Sequence, residues 1–156
     1  MQMSNDTYTF TKATLEDIPF LEDMEKRIYV HNYTPFHGET LVTYHIQSGQ
    51  IRKELEENIE HCIIMRLNKA PIGFSIILED KINDIMIDVA YQHKSYGSAL
   101  LKYVEGILFE KYETIELRTY KTNVNAVKFY GKHNWIQIPR GLLGTNIATF
   151  QKKRGT

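Results

Sequence analysis

The chain changes its hydrophobic period at one point, and that change constrains the fold more than any other feature. Between Ile82 and Trp135 the pattern reads as strand, glycine-containing turn, helix, strand and helix. Ile82 to Val89 is a run suited to a buried strand. Ala99, Leu100, Tyr103, Val104, Ile107 and Leu108 then fall on one helical face that ends near Lys111. Ile115, Leu117 and Thr119 alternate as a strand between Thr114 and Tyr120. Ala126, Val127 and Tyr130 share a face of a short helix that closes at Asn134, a residue type that tolerates the left-handed conformation common after helices.

Upstream, Tyr8 to Lys12 alternates as a first strand. Thr14 and Asp17 offer capping oxygens, and Pro19 fits only the first turn of a helix. Ile18, Leu21, Met24 and Ile28 recur at helical spacing, so that helix runs to about Tyr29. Tyr33 to Gly38 reads as a loop. A second helical region breaks near Ser48-Gly49 and resumes from Ile51 to Ile59. His61 to Leu67 is a strand, Asn68 to Pro71 a turn, Ile72 to Leu78 a strand, and Glu79 to Lys81 a turn into the strand from Ile82. Three strands joined by short turns predict an antiparallel meander. Trp135 to Ile138 and Ile147 to Lys152 supply the last strands. The expected class is α+β: a mixed, mostly antiparallel sheet of about seven strands with about four flanking helices.

The 156 residues suit one domain, residues 1–156, with a real core. Nineteen basic and nineteen acidic residues cancel, which argues against a polyanion such as nucleic acid as the main partner. A lone Cys62 excludes an internal disulfide and fits a reducing compartment. Met1 to Asp6 has no basic stretch followed by an apolar run, so no signal peptide is expected. No apolar run approaches the roughly 18 residues of a membrane span. A cytoplasmic protein without membrane contact is the default. The six histidines show no metal-ligand spacing, so no metal is expected.

Two segments carry chemistry. Gln92-His93-Lys94-Ser95-Tyr96-Gly97 follows a strand and opens a helix, so its unpaired N–H groups and the positive helix end could hold an anion. Gly97 permits close backbone approach, and Lys94 and His93 add donors. An ordinary capped turn is the competing reading. In the later helix Asn123 can bond loop backbone or a ligand amide. Tyr130, seven residues on, lies on nearly the same face. Aimed into a cleft, it could protonate a leaving thiolate, since phenol and thiol pKa values are similar. The alternative is a core aromatic.

Together these stretches resemble the acyl-CoA-binding half of the GNAT N-acetyltransferase superfamily. That family shows Gln/Arg-x-x-Gly-x-Gly/Ala opening a long helix, then Asn-x-x-Ala-x-x-Phe-Tyr closing on Gly-Phe. Here the turn is Gln92-x-x-Ser95-x-Gly97, followed by Leu100-Leu101. The second motif is intact as Asn123-x-x-Ala126-x-x-Phe129-Tyr130, with Asn134-Trp135 in place of Gly-Phe. Ala13 to Pro19 is similar to the family's first loop and helix. Ser95 stands where the pattern has its first glycine; its Cβ would crowd a pyrophosphate, or its hydroxyl would donate to one.

The resemblance implies a sheet splayed between the Ile82 strand and the Thr114 strand, with acetyl-CoA in the gap. It places the pyrophosphate on Gln92, His93, Lys94, Ser95, Tyr96, Gly97 and Ser98. It places the pantetheine arm along Ile85, Met86 and Ile87, as an added strand, and against Asn123, Ala126 and Phe129. An amine would attack the thioester directly. Tyr130 would protonate the thiolate, and backbone N–H groups near Ile87 would polarise the carbonyl. Asp84 is the candidate base, with Glu39 behind it; a solvated surface carboxylate is the plainer reading of each. The acceptor is expected to be a small-molecule amine, walled by Tyr29, His31, Tyr33, Phe36, His37 and Tyr44. A protein N-terminus or lysine, or a non-catalytic acyl-CoA module, are the alternatives. Edge strands near the C-terminus leave a homodimer open.

Overall fold

The computed structural model describes residues 7–140 and 144–156; the N-terminal segment read above for a signal lies outside them. The described residues form seven strands and six helices. Strand β1 (Tyr8–Lys12) leads through a capped turn into α1 (Ile18–Ile28). The cap forms as its residues suggest, with the Thr14 N–H donating to Asp17 Oδ2 at 2.8 Å. Helices α2 (Thr34–His37), α3 (Glu39–Gln47) and α4 (Gln50–Asn58) precede the meander β2 (Cys62–Leu67), β3 (Ala70–Leu78) and β4 (Lys81–Ile87). Then come α5 (Tyr96–Phe109), β5 (Thr114–Tyr120), α6 (Val124–Lys132), β6 (Ile136–Ile138) and β7 (Ile147–Lys153).

The seven strands form one sheet in the order β1-β2-β3-β4-β5-β7-β6. Every pairing is antiparallel except β4 with β5. Each face has its own core. Leu21, Met24 and Ile28 of α1 and Ile51 and Leu55 of α4 pack on Ile64, Phe74, Ile76 and Met86. Leu100, Leu101, Val104 and Leu108 of α5 pack on the other face against Met65, Ile72, Ile115, Leu117 and Phe150. Burial on both faces explains why β3 is a nearly continuous apolar run, whereas β5 alternates.

Three boundaries differ from the sequence reading. Tyr33 to Gly38 is not a loop. α1 runs into a π-helical turn over Tyr29–Tyr33 and then α2, because Pro35 falls in that helix's first turn, where a missing N–H breaks nothing. Pro71 belongs to β3 rather than to the turn before it. It sits beside a register shift between Met65 and Arg66 of β2, a place where a strand tolerates proline. β4 stops at Ile87, where the Asp88 carboxylate caps a short turn over Val89–Tyr91 through the Val89 N–H at 2.8 Å. No helix among the described residues is long and apolar enough to cross a membrane.

Candidate active site

The site begins with an irregularity in β4. Consecutive residues Ile76 and Ile77 of β3 face Asp84 and Ile82, so Asn83 is an extra residue with no partner across the pair. Below this bulge β4 runs parallel to β5, at Lys81↔Glu116 and Ile82↔Leu117. Above it the two strands part. β5 stays fully paired with β7 on its other side. The gap is a cleft of about 590 Å³ walled by Asn83 to Ile87 of β4 and Leu117 to Thr119 of β5.

The turn into α5 closes one end of this cleft. Asp88 is anchored by a two-point ion pair from Arg27 of α1, Nε at 3.2 Å and Nη2 at 2.8 Å. The Gln92 amide donates to the Ile87 carbonyl at 2.9 Å and to Asn32 Oδ1 at 3.0 Å, and accepts from Asn32 Nδ2 at 3.2 Å. Gln92 therefore ties the turn to β4 and to the π-helical turn. The first helical bond of α5 runs from the Ala99 N–H to the Ser95 carbonyl, at 3.2 Å. The N–H groups of the preceding turn thus lie outside the helical ladder, at its positive end. Gln92, His93, Ser95, Gly97 and Ser98 line the cleft. Lys94 is exposed and lies off its wall, and the Tyr96 ring packs edge-on to Tyr91 at 6.3 Å.

Helix α6 supplies the opposite wall. Asn123 Oδ1 accepts the Ala126 N–H at 3.3 Å, so this side chain caps the helix. Asn123, Ala126, Phe129 and Tyr130 all line the cleft. Tyr130 is only 8% exposed, with its ring tilted against Trp135 and Phe150 at 6.2 and 5.8 Å. Burial pushes its phenol well above the usual range, and the nearby Tyr33 and Asp84 add to the effect. The hydroxyl therefore stays protonated across physiological pH.

Asp84 lines the same cleft from β4, on the face of α1 and α4. Burial raises its carboxyl to about 7, the Asn83 amide (3.0 Å) opposes that, and Glu54 reinforces it. Behind it lies Glu25 of α1, 5% exposed, which burial and the charges of Asp84, Glu54 and Glu22 push up to about 8. Of the six ring residues expected at the acceptor end, Tyr33 lines the cleft, and the rings packed around it form an aromatic wall. Tyr33 stacks obliquely on Tyr29 at 4.3 Å and on Phe36 at 5.2 Å, and His37 meets Phe36 at 4.5 Å. Tyr120, from the far end of β5, joins it edge-on to His37 at 4.6 Å. Tyr44 is 75% exposed and His31 faces a different, shallow depression beside Lys26 and Arg27; neither joins the wall. Glu39 is exposed on α3 and does not line the cleft.

The model of the acetyltransferase (GNAT) family matches residues 19–135, three quarters of the chain. The chain belongs to the GNAT acetyltransferase family. Its fold is that of the PaiA N-acetyltransferase of Thermoplasma acidophilum, solved with coenzyme A: 19% identity, TM-score 0.81, covering 94% of this chain and 99% of that one. A GCN5-related N-acetyltransferase of Rhodopseudomonas palustris superposes with a TM-score of 0.79 at 15% identity, covering 98% of both chains. A ribosomal-protein alanine N-acetyltransferase of Escherichia coli does so with a TM-score of 0.65 at 16% identity, over 93% of this chain and 91% of that one. Among curated proteins, no sequence matches.

In this GNAT domain both departures from the glycine pattern adopt the left-handed backbone that glycine adopts freely. Ser95 has φ 71° and Asn134 has φ 68°. The substitutions therefore keep the path of the chain. Sequence reasoning missed three residues that shape the site. Asn32 lies 60 residues from its partner Gln92, and no local pattern marks the pair. Glu25 follows Leu21 by four and precedes Ile28 by three, so its place on the buried face of α1 was readable from the spacing. His133, at the end of α6, meets the Ser98 hydroxyl, with Nε2 2.9 Å from Oγ.

Proposed function

We propose that this protein transfers the acetyl group of acetyl-CoA to the primary amine of a small molecule, the whole chain acting as one N-acetyltransferase domain. One observation carries the reading: β4 parts from β5 at the Asn83 bulge, and the gap runs between the α5 N-terminus and the Tyr130 ring. An exposed strand edge can pair with the amides of a pantetheine-like arm, as Ile85 to Ile87 would do. The turn before Ala99 offers N–H groups and a positive dipole end to a pyrophosphate. Gly97 fits that task, since an added Cβ would lie 3.7 Å from both Ile87 Cγ1 and Phe129 Cζ, in space the cleft now uses.

The chemistry divides between two side chains. Asp84, raised to about 7, takes a proton from the incoming ammonium group near neutral pH. The freed amine attacks the thioester carbon, the C–S bond breaks, the Tyr130 hydroxyl gives its proton to the departing thiolate, and the surplus proton on the new amide nitrogen returns to restore the phenol. A phenol held above its usual range is a reluctant donor, so the transfer relies on the same burial making the thiolate equally unwelcome. Tyr33, held in its aromatic cluster, lines the cleft and suits a compact amine better than an extended peptide.

The test is a Tyr130→Phe variant assayed by CoA release against a panel of small amines. The expected result is turnover lower by about 10²–10⁴-fold, the usual range for an acid or base, with CoA binding intact. Full turnover in the variant removes Tyr130 as the acid. CoA binding without turnover on any amine, even in the parent protein, replaces the enzyme with an acyl-CoA-binding module.

A further inference from the structure

The contact between Ser98 and His133 joins two elements. Ser98 is the third residue of α5 and lines the cleft; His133 closes α6. Their side chains meet at 2.9 Å, and the imidazole is held edge-on to Phe129 at 4.7 Å. Phe129 lines the cleft as well, so the ring stands directly behind the wall that the first turn of α5 presents.

A hydroxyl has one hydrogen. If His133 Nε2 is bare, it accepts that hydrogen, and Ser98 turns only lone pairs toward the cleft. An anion seated on the α5 N-terminus would then face an acceptor. If Nε2 carries a hydrogen, the ring donates to Ser98 Oγ, and the hydroxyl hydrogen is free to reach a phosphate oxygen. The imidazolium satisfies this always, because both its nitrogens are donors. The groups around the ring are balanced: Glu105 of α5 favours its charged form, while Lys132 of α6 and Lys152 of β7 oppose it. Partial burial, the largest influence, holds it below the usual histidine value, so the free protein carries a neutral ring at neutral pH.

We propose that His133 positions the Ser98 hydroxyl as a phosphate donor and takes up a proton from solvent when the pyrophosphate of the acyl donor binds. The inference rests on the cofactor reading above and adds proton-linked affinity to it. An anion within reach of the ring stabilises the imidazolium. Binding is therefore strongest below the pKa of the free ring and weakens as pH rises through the higher pKa of the bound one. The loss amounts to about tenfold in affinity for each pKa unit that binding adds.

The measurement is titration calorimetry with dephospho-CoA, which lacks the titratable 3′-phosphate. It is run at pH 6 and pH 8 in two buffers of unlike ionisation enthalpy. The parent protein is expected to bind several-fold more tightly at pH 6, with heats that differ between buffers as proton uptake requires. His133→Gln, whose amide can still donate to Ser98 Oγ, should bind at a level that no longer depends on pH and with no proton uptake. Ser98→Ala should bind more weakly at both pH values and lose most of the linkage. Binding in the parent that is independent of pH and buffer overturns the role of His133 and leaves the cofactor reading standing. Linkage that survives in His133→Gln overturns it too. No binding at all overturns the cofactor reading itself.

Discussion

Ile82 and Asp84 are two residues apart in one strand, yet their side chains go to opposite faces of the sheet. Ile82 is buried under α5, whereas Asp84 stands opposite Ile76 on the face of α1 and α4. In a regular strand residues i and i+2 share a face. Asn83, the unpaired residue between them, makes the switch, and β4 leaves β5 at the same place. One inserted residue thus opens the cleft and aims a carboxylate at its acceptor side. Deleting Asn83 keeps Ile82 opposite Ile77 and Asp84 opposite Ile76 but removes the bulge. The variant is expected to fold and to lose CoA affinity by at least about tenfold, roughly 1.4 kcal/mol. Unchanged affinity in a folded deletion variant would show that the bulge does not hold the cleft open.

Asp84 sets the expected pH dependence. Its carboxyl is raised to about 7 by burial, so the basic form grows as pH rises through that value. kcat/KM for an amine should therefore climb between about pH 6 and 8 and level off until the ionisation of the amine itself, near about 10, takes over. In Asp84→Asn the limb near 7 should vanish and the rate fall by about 10²-fold or more. A variant that keeps both the limb and the rate would assign the base elsewhere.

Two neighbouring substitutions separate cofactor contact from backbone strain. A methyl at position 97 would make only ordinary contacts, at 3.7 Å, and alanine is the better helix former by about 1 kcal/mol. Gly97→Ala should leave the free protein as stable or slightly more so, and weaken CoA binding by filling the cradle. Ser95→Gly should do the opposite kind of work. Ser95 is exposed at φ 71°, where a Cβ costs about 1–2 kcal/mol, partly offset by the freedom glycine regains on unfolding. Its melting temperature should rise modestly, with CoA affinity unchanged or better. If Gly97→Ala binds CoA as well as the parent, the pyrophosphate does not approach this backbone.

The parts of this fold that were legible from sequence are those set by local chemistry. The period change at Ile82 announced the crossover, and Thr14 and Asp17 announced the first helix. The cleft residues from Gln92 to Gly97 and from Asn123 to Tyr130 came from motif spacing, and most of them do share one cavity. What was not legible depends on pairing across the chain. The Asn83 bulge has no signature of its own, because it is defined by the register of β3. The Asn32–Gln92 pair and the Tyr120 contribution to the aromatic wall join segments 60 or more residues apart. Tyr33 to Gly38 misled because proline and glycine suggest a loop, although proline is harmless in a first turn.

Glu25 offers a test of the electrostatics around Asp84. It is buried on α1, its carboxyl has no hydrogen bond or ion pair among the described residues, and it is raised from the usual carboxylate range to about 8. Its folded pKa lies above the unfolded one, so between about 4.5 and 8 the native state binds the extra proton. This contribution to stability is fully present below the lower value and disappears as pH rises through the upper one. Glu25→Gln mimics the protonated form at every pH. Urea unfolding at pH 6 and pH 9 should show the parent losing on the order of 2 kcal/mol relative to the variant at the higher pH. Equal pH slopes of stability in the two proteins would mean that Glu25 reaches solvent in the native state.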